Sequence, residues 1–266
     1  MPRAAVLGKP VAHSRSPAIH QAGYAAAGLA GWSYTAIECA EAELPGLVAG
    51  LGPEWAGLSL TMPLKEVALA VADRVAPLAA TLGAANTLVR EDGGWRAENT
   101  DAPGIAAALG PVPAGARLVV LGAGGTARAA LGAAAELGAQ VAVVARRPEA
   151  LAELEPVAGG LGVAVTGHPW PDAARVLAGA DVVVSTVPAG AADPLATEVA
   201  WRPGTVLLDA LYHPWPTPLA AAAAGAGVRV VSGLELLLAQ AVGQFEMFTG
   251  VPAPVDAMRR ALTATR

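Results

Sequence analysis

The chain has 266 residues, 54% hydrophobic and 15% charged, with a formal net charge of −5 and a single cysteine, Cys39. This length supports one large or two modest domains. The mildly acidic balance without a basic tail gives no footprint for nucleic acid, and one cysteine excludes an internal disulfide and a cysteine-built zinc site.

The elements alternate from the start. Strands are expected at "RAAVLG", "WSYTAIE" and "WAGLSLT", with a helix "SPAIHQAGYAAAG" after the first. Ser16 reads as its N-cap and Pro17 as its first helical residue. "NTLVREDGGWRAENTD" then reads as a hairpin folding at the "DGG" of 92–94. Pairing across that turn brings Asn86 alongside Asn99 and Thr100, with Asp101 emerging beside it.

"APGIAAALGPVPAGA" reads as a helix followed by a Pro/Gly linker, where a second domain begins. Strands near 117–121, 140–145, 163–166, 181–184, 205–208 and 228–231 follow with helical stretches between most of them. The chain ends in two helices, "GLELLLAQAVGQFEMFTG" and "APVDAMRRALTA". The pattern predicts an α/β protein of two domains. Charges at Arg128, Glu136, Arg229 and Glu235 interrupt the longer apolar stretches, so no transmembrane helix is expected. The apolar start is too short for a signal peptide, and a cytoplasmic protein is expected. Few Asn, Cys and Lys beside abundant Arg and Pro is compatible with a thermophilic source.

"RLVVLGAGGTARAALGAAAELGAQVAVVARR" carries a dinucleotide signature. A buried strand ends at Leu121, a glycine turn follows, and a helix begins at once. The spacing Gly122-x-Gly124-x-x-Ala127 fits the fingerprint: a tight turn, a close backbone approach to pyrophosphate, and a small residue where helix meets strand. The candidate contacts there are Gly122, Ala123, Gly124, Gly125, Thr126 and Ala127. About 20 residues further on, an enzyme using NAD usually carries an acid for the ribose 2′-hydroxyl. Here the strand ends in Ala145, Arg146 and Arg147. Two guanidiniums attract a 2′-phosphate, so NADP is the expected cofactor.

Scarce residues mark the rest of the site. Lys9 and Lys65 are the only lysines among 17 basic residues, and Asn86 and Asn99 the only asparagines. Where a positive charge merely needs water or a carboxylate, this chain uses arginine. Lysine, unlike arginine, can release its proton near neutral pH, so Lys65 in "SLTMPLKE" is a candidate for proton transfer. Ser14, Ser16 and Ser59 lie where strands deliver their carboxyl ends, the usual ligand edge of an open α/β sheet.

Together "GKPVAHSRSP", "SLTMPLK", "GAANTLV", "ENTDAPG", "GAGGTARA", "DALYHP" and "GLELLLAQA" resemble, in order and spacing, the motifs of the shikimate dehydrogenase family, over nearly the whole chain. The resemblance implies reversible reduction of 3-dehydroshikimate to shikimate with NADPH, in aromatic amino-acid biosynthesis. It also implies a substrate domain, residues 1–102 with 241–266 returning to it, a Rossmann-type NADP domain, 103–240, and an active site in the cleft between.

Position by position, it implies Lys65 and Asp101 as the catalytic pair, both also touching substrate. Ser14 and Ser16 would hold the substrate carboxylate. Arg15 between them would point away if that loop is extended. Thr61, Asn86 and Gln240 would bond carboxylate or ring hydroxyls, with Tyr212 also at the substrate. Thr186, Ala210 and Gly233 would line the nicotinamide end. Departures from the family pattern are Ser59 and Gln21 in place of asparagines, "ARR" for Asn-Arg-Thr, and Leu236 for a methionine.

His13 and His20 match no common metal-ligand spacing, and no metal is expected. Trp170, Trp201 and Trp215 read as packing residues in Pro-rich turns. Expected partners are small molecules only, and the chain is expected to be a monomer or homodimer. Two alternatives remain at this level: a quinate/shikimate dehydrogenase using NAD, which would want the missing acid, and a non-catalytic NADP or shikimate sensor, which would have no use for Lys65 or Asp101.

Overall fold

The computed structural model describes residues 1–264. The chain forms two compact units, Met1–Thr100 with the chain from Leu237 onward, and Asp101–Leu236. In sequence they part at Asp101, the first residue of helix Asp101–Leu109, and again within helix Gly233–Thr249.

The first unit is built on strands β1 (Arg3–Gly8), β2 (Ser33–Glu38), β3 (Trp55–Leu60), β4 (Arg74–Val75), β5 (Thr87–Glu91) and β6 (Gly94–Glu98), in the order β2-β1-β3-β5-β6-β4. β1 pairs in parallel with β2 and β3, while β3–β5 and β5–β6 are antiparallel, so this sheet is mixed. Both turn residues of the β5–β6 hairpin, Asp92 (φ 50°) and Gly93 (φ 81°), are left-handed, as a two-residue turn with matching twist requires. The resulting register pairs Thr87 with Glu98. Asn86, one residue earlier, bonds its backbone N–H to Glu98 O at 3.1 Å.

Ala5, Leu7, Leu58, Leu60 and Leu88 alternate into an apolar core under the sheet. Helix Ser16–Ala26 packs against the C-terminal helix Val255–Ala264. The cap of helix Ser16–Ala26 differs from the sequence expectation: Arg15 occupies the N-cap position and Ser16 is already helical. Ile19 N–H bonds to Arg15 O at 3.2 Å, which starts the helix one residue earlier than the serine.

The second unit is a six-stranded, wholly parallel sheet of β7 (Arg117–Leu121), β8 (Gln140–Ala145), β9 (Val165–Pro169), β10 (Val182–Ser185), β11 (Val206–Asp209) and β12 (Arg229–Ser232). Its order is β12-β11-β10-β7-β8-β9, the doubly wound arrangement whose strand order reverses between the first and fourth strands. Val- and Leu-rich strands suit a sheet buried on both faces. β9 lies two to three residues later than the sequence suggests, because its pairing with β8 runs on to Ala145↔Pro169. Among the described residues no helix is long and apolar enough to cross a membrane.

Candidate active site

In the first unit the carboxyl ends of β1 and β3 are stitched together. Thr61 N–H donates to Leu7 O at 2.9 Å and Lys9 N–H to Met62 O at 3.0 Å. Gly8 permits this approach, since a Cβ there would meet Thr61 Cγ2 at 2.3 Å. Lys65 sits on the turn that follows, anchored through its carbonyl, which accepts from Ala85 N–H at 2.7 Å. The next residue, Asn86, accepts at its own carbonyl from Leu60 N–H at 2.7 Å. Thr61, Lys65 and Asn86 are therefore tied to one another by main-chain bonds.

The side chain of Asn86 is buried and fully oriented. Its Oδ1 accepts from Thr100 N–H at 2.8 Å, and its Nδ2 donates to Thr100 Oγ1 at 2.9 Å and Gln240 Oε1 at 3.4 Å. Gln240, on an apolar helix, is buried rather than exposed, and donates back to Leu237 O at 2.8 Å. Asn99 faces elsewhere, donating to Ala84 O at 2.9 Å.

Ser14 and Ser16 sit together after β1, Ser16 N–H donating to Ser14 Oγ at 3.3 Å. Arg15 between them has helical backbone (φ −86°, ψ −8°), so the loop is not extended there and strand alternation does not direct its side chain. Asp101, the residue after Thr100, is buried at the start of its helix.

His20 proves to be a core residue, with no exposure, stacked face to face on Tyr34 at 4.1 Å. Neither ring nitrogen finds a hydrogen-bonding geometry. Burial pulls its pKa from 6.5 to about 3, the nearby Gln244 amide opposing the shift only in part. His13 is exposed. Among the described residues no group of three His, Cys, Asp or Glu could hold a metal ion.

The second unit presents a cavity of about 550 Å³ at the carboxyl ends of β7, β8 and β10, walled by Gly122, Gly124, Arg146, Arg147, Trp170 and Thr186. Ala123 and Ala145 also face it. Gly122 has φ +108°, and a Cβ on it would meet Thr186 Oγ1 at 2.5 Å, so only glycine fits. Thr186 is fixed in turn by donating to Leu121 O at 2.7 Å. Gly124 precedes helix Gly125–Leu137, whose free N–H groups favour an anion. Thr126 and Ala127 lie in that helix, Ala127 buried against the sheet.

Ala210, Tyr212 and Gly233 are not on this cavity wall. Ala210 and Gly233 touch each other instead: a Cβ on Gly233 would meet Ala210 O at 2.2 Å. Tyr212 belongs to this second unit, unlike the other substrate candidates apart from Asp101.

Two features escaped the sequence reading. Trp170 packs on the core as expected but also walls the cavity; the signal was its place just past β9, next to the arginines that follow β8. Asp209 is buried with its carboxyl pushed above the ordinary range by desolvation. It accepts from Thr217 Oγ1 at 2.7 Å and Leu211 N–H at 3.1 Å. It thereby braces the 210–217 loop carrying Tyr212, and the "D" and "TP" of "DALYHPWPTP" were its legible trace.

Comparison with known proteins gives the following. Residues 6–88 match the family model for the shikimate dehydrogenase substrate binding domain, and residues 233–263 that for the shikimate 5'-dehydrogenase C-terminal domain. Residues 94–210 match the alanine dehydrogenase/PNT C-terminal domain. A shikimate dehydrogenase (NADP(+)) from Methylobacterium radiotolerans is 41% identical, covering 95% of this chain and 93% of its own. The crystal structure of Mycobacterium tuberculosis shikimate dehydrogenase superposes with a TM-score of 0.93 at 51% identity, covering 100% of both chains. That of shikimate 5-dehydrogenase from Thermus thermophilus, in complex with NADP(H) and shikimate, gives 0.86 at 34% identity over 99% of both.

Proposed function

Because the chain belongs to the shikimate dehydrogenase family, we propose that it is an NADP-dependent oxidoreductase interconverting 3-dehydroshikimate and shikimate. The first unit is the substrate-binding one and the second the NADP-binding one. The observation that carries this reading is the cavity after β7, where a glycine turn that no other residue could form opens beside two arginines. That combination fits a pyrophosphate and a 2′-phosphate. Gly122, Ala123, Gly124, Gly125, Thr126 and Ala127 would hold the pyrophosphate. Arg146 and Arg147 would hold the 2′-phosphate. Thr186, Ala210 and Gly233 are assigned to the nicotinamide end.

NADP supplies the hydride acceptor. The chain's own groups handle the proton and the ring. In oxidation, the neutral Lys65 amine takes the proton of the reacting hydroxyl while the O–H electron pair becomes the second carbonyl bond and hydride leaves the same carbon. In reduction its ammonium returns the proton to the carbonyl oxygen. Asp101 orients substrate and lysine. Ser14 and Ser16 bind the substrate carboxylate, while Thr61, Asn86, Gln240 and Tyr212 bond carboxylate or hydroxyls. A polyhydroxylated ring requires several such fixed partners, since an analogue that leaves a buried polar group unpaired is rejected. The enzyme works in the cytoplasm, as a monomer or homodimer, on small molecules alone.

Steady-state oxidation of shikimate with NADP and with NAD, on wild type and Lys65→Ala, tests the reading. Turnover with NADP, little with NAD, and a large fall in kcat at nearly constant KM in the variant are expected. A wild type that binds NADP yet oxidises no shikimate would overturn it in favour of a sensor.

A further inference from the structure

A chain of buried hydrogen bonds runs through the first unit behind the proposed substrate residues. Tyr34 OH donates to Ser59 Oγ at 2.6 Å, and Ser59 Oγ to Gln244 Oε1 at 2.7 Å. Gln244 Nε2 donates to Thr87 Oγ1 at 2.9 Å and to the Asn86 carbonyl at 3.2 Å. Thr87 Oγ1 donates to Asn86 Oδ1 at 3.0 Å. At the other end His20 stacks on the Tyr34 ring. Tyr34, Ser59, Gln244, Thr87 and Asn86 are all buried.

The donor directions follow from two groups that have no choice. The Asn86 carbonyl can only accept, so the Gln244 atom facing it is the NH₂. Gln244 Oε1 then faces Ser59, which must donate, leaving Ser59 Oγ to accept from Tyr34. At the far end the Thr100 backbone N–H can only donate, so the atom facing it is Asn86 Oδ1. Asn86 Nδ2 is thereby turned toward Gln240 Oε1. Every amide in the chain is held in a single orientation.

We propose that Gln244 is a positioning residue for substrate recognition, holding the Asn86 amide, and through it Gln240, in the orientation that meets the substrate's hydroxyls. Through Ser59 and Tyr34 the same network reaches β3 and β2. The inference rests on the assignment of Asn86 and Gln240 to substrate. Gln244 itself acts through its neighbours. A flipped Asn86 amide would set its oxygen against Gln240 Oε1, two acceptors facing each other, and a loose one would fix neither; either weakens substrate binding while leaving cofactor binding alone.

The chain's two asparagines make a direct test available. Labelling with 15N-asparagine yields two side-chain NH₂ pairs, Asn86 on the relay and Asn99 off it. In Gln244→Met, of similar length but without either bond, the Asn86 pair should shift or broaden while the Asn99 pair stays in place. The KM for shikimate should rise about tenfold with KM for NADP unchanged. Adding Gln244→Met to Asn86→Ala should raise that KM no further, because the relay's target is already gone.

An unmoved Asn86 pair overturns the proposal, as does equal disturbance of both asparagines, which would mark Gln244 as a general packing residue. Additive effects in the double variant also overturn it. Should Gln244→Met not fold, Tyr34→Phe removes one hydroxyl at the head of the chain and should move the Asn86 pair in the same selective way. The amide spectrum judges the relay even if the wild type proves inactive toward shikimate, an outcome that would count against the enzymatic reading alone.

Discussion

Acid should destabilise this protein through His20, and replacing that residue should remove the effect. The ring is wholly buried, its nitrogens are unpartnered, and its pKa falls from 6.5 to about 3. The depressed pKa means that the native state refuses a proton the unfolded chain accepts, so stability is complete above pH 6.5 and declines as pH falls toward 3. At pH 5 the unfolded ring is protonated and the native ring is not. pH 5 lies about 1.5 pH units below the unfolded pKa, at about 1.4 kcal/mol per unit, so the loss is about 2 kcal/mol. This figure hardly depends on the native value so long as it lies well below 5. Against a typical stability of about 5–15 kcal/mol, it is a substantial share.

His20→Phe keeps a ring to stack on Tyr34 and removes the titration. Urea unfolding of both proteins at pH 7 and pH 5 reads the difference, in which other titrating groups common to both cancel. The variant should lie within about 1 kcal/mol of wild type at pH 7, since overpacking opposes the loss of unsatisfied nitrogens. By pH 5 the gap should have moved about 2 kcal/mol in the variant's favour. Equal losses in the two proteins would refute the reasoning, because they would mean that His20 takes up its proton in the native state.

Three further outcomes follow from the second unit. Gly122→Ala forces a side chain at φ +108° against Thr186 Oγ1 and should cost about 1–3 kcal/mol, read as a lowered melting temperature with weakened binding of 2′,5′-ADP. Replacing Arg146 and Arg147 together by serine should lower kcat/KM with NADP by at least about tenfold, since charge-assisted bonds are worth about 1.5–3 kcal/mol each. The value with NAD should change little, and equal loss with both cofactors would remove the 2′-phosphate assignment. Trp170→Leu should weaken 2′,5′-ADP about fivefold, as loss of about 1 kcal/mol of aromatic contact, leaving the shikimate KM unchanged; titration calorimetry and steady-state kinetics check the two halves.

Local signals were the legible ones. The glycine turn, the strand before it and the helix after it are contiguous, and "DGG" sits between the two strands it joins; the β7–β8 and β5–β6 registers follow from such neighbours. Ser16 misled because N-cap preference is a local statistic, whereas the main-chain bond from Ile19 N–H to Arg15 O starts the helix one residue earlier. β4, two residues long, has no periodicity to read and exists because Arg74 and Val75 pair with β6. Gln244 was visible only as a polar residue on an apolar helix, since its partner Ser59 lies 185 positions away.

The two units manage polarity in opposite ways, and this explains why one site was easier to read than the other. The second keeps Arg146 and Arg147 exposed and offers backbone N–H groups at a helix mouth; solvent satisfies those groups before a phosphate arrives, so they need no partners from elsewhere in the fold. The first buries uncharged amides and hydroxyls, and each must be satisfied inside the protein whether or not a ligand is present. That requirement recruits Thr87, Thr100, Ser59 and Gln244 from β5, the hairpin's end, β3 and the returning helix. A site of this kind leaves no compact motif. What it does leave is placement: both asparagines of the chain lie buried on one hairpin, where a fixed amide is required.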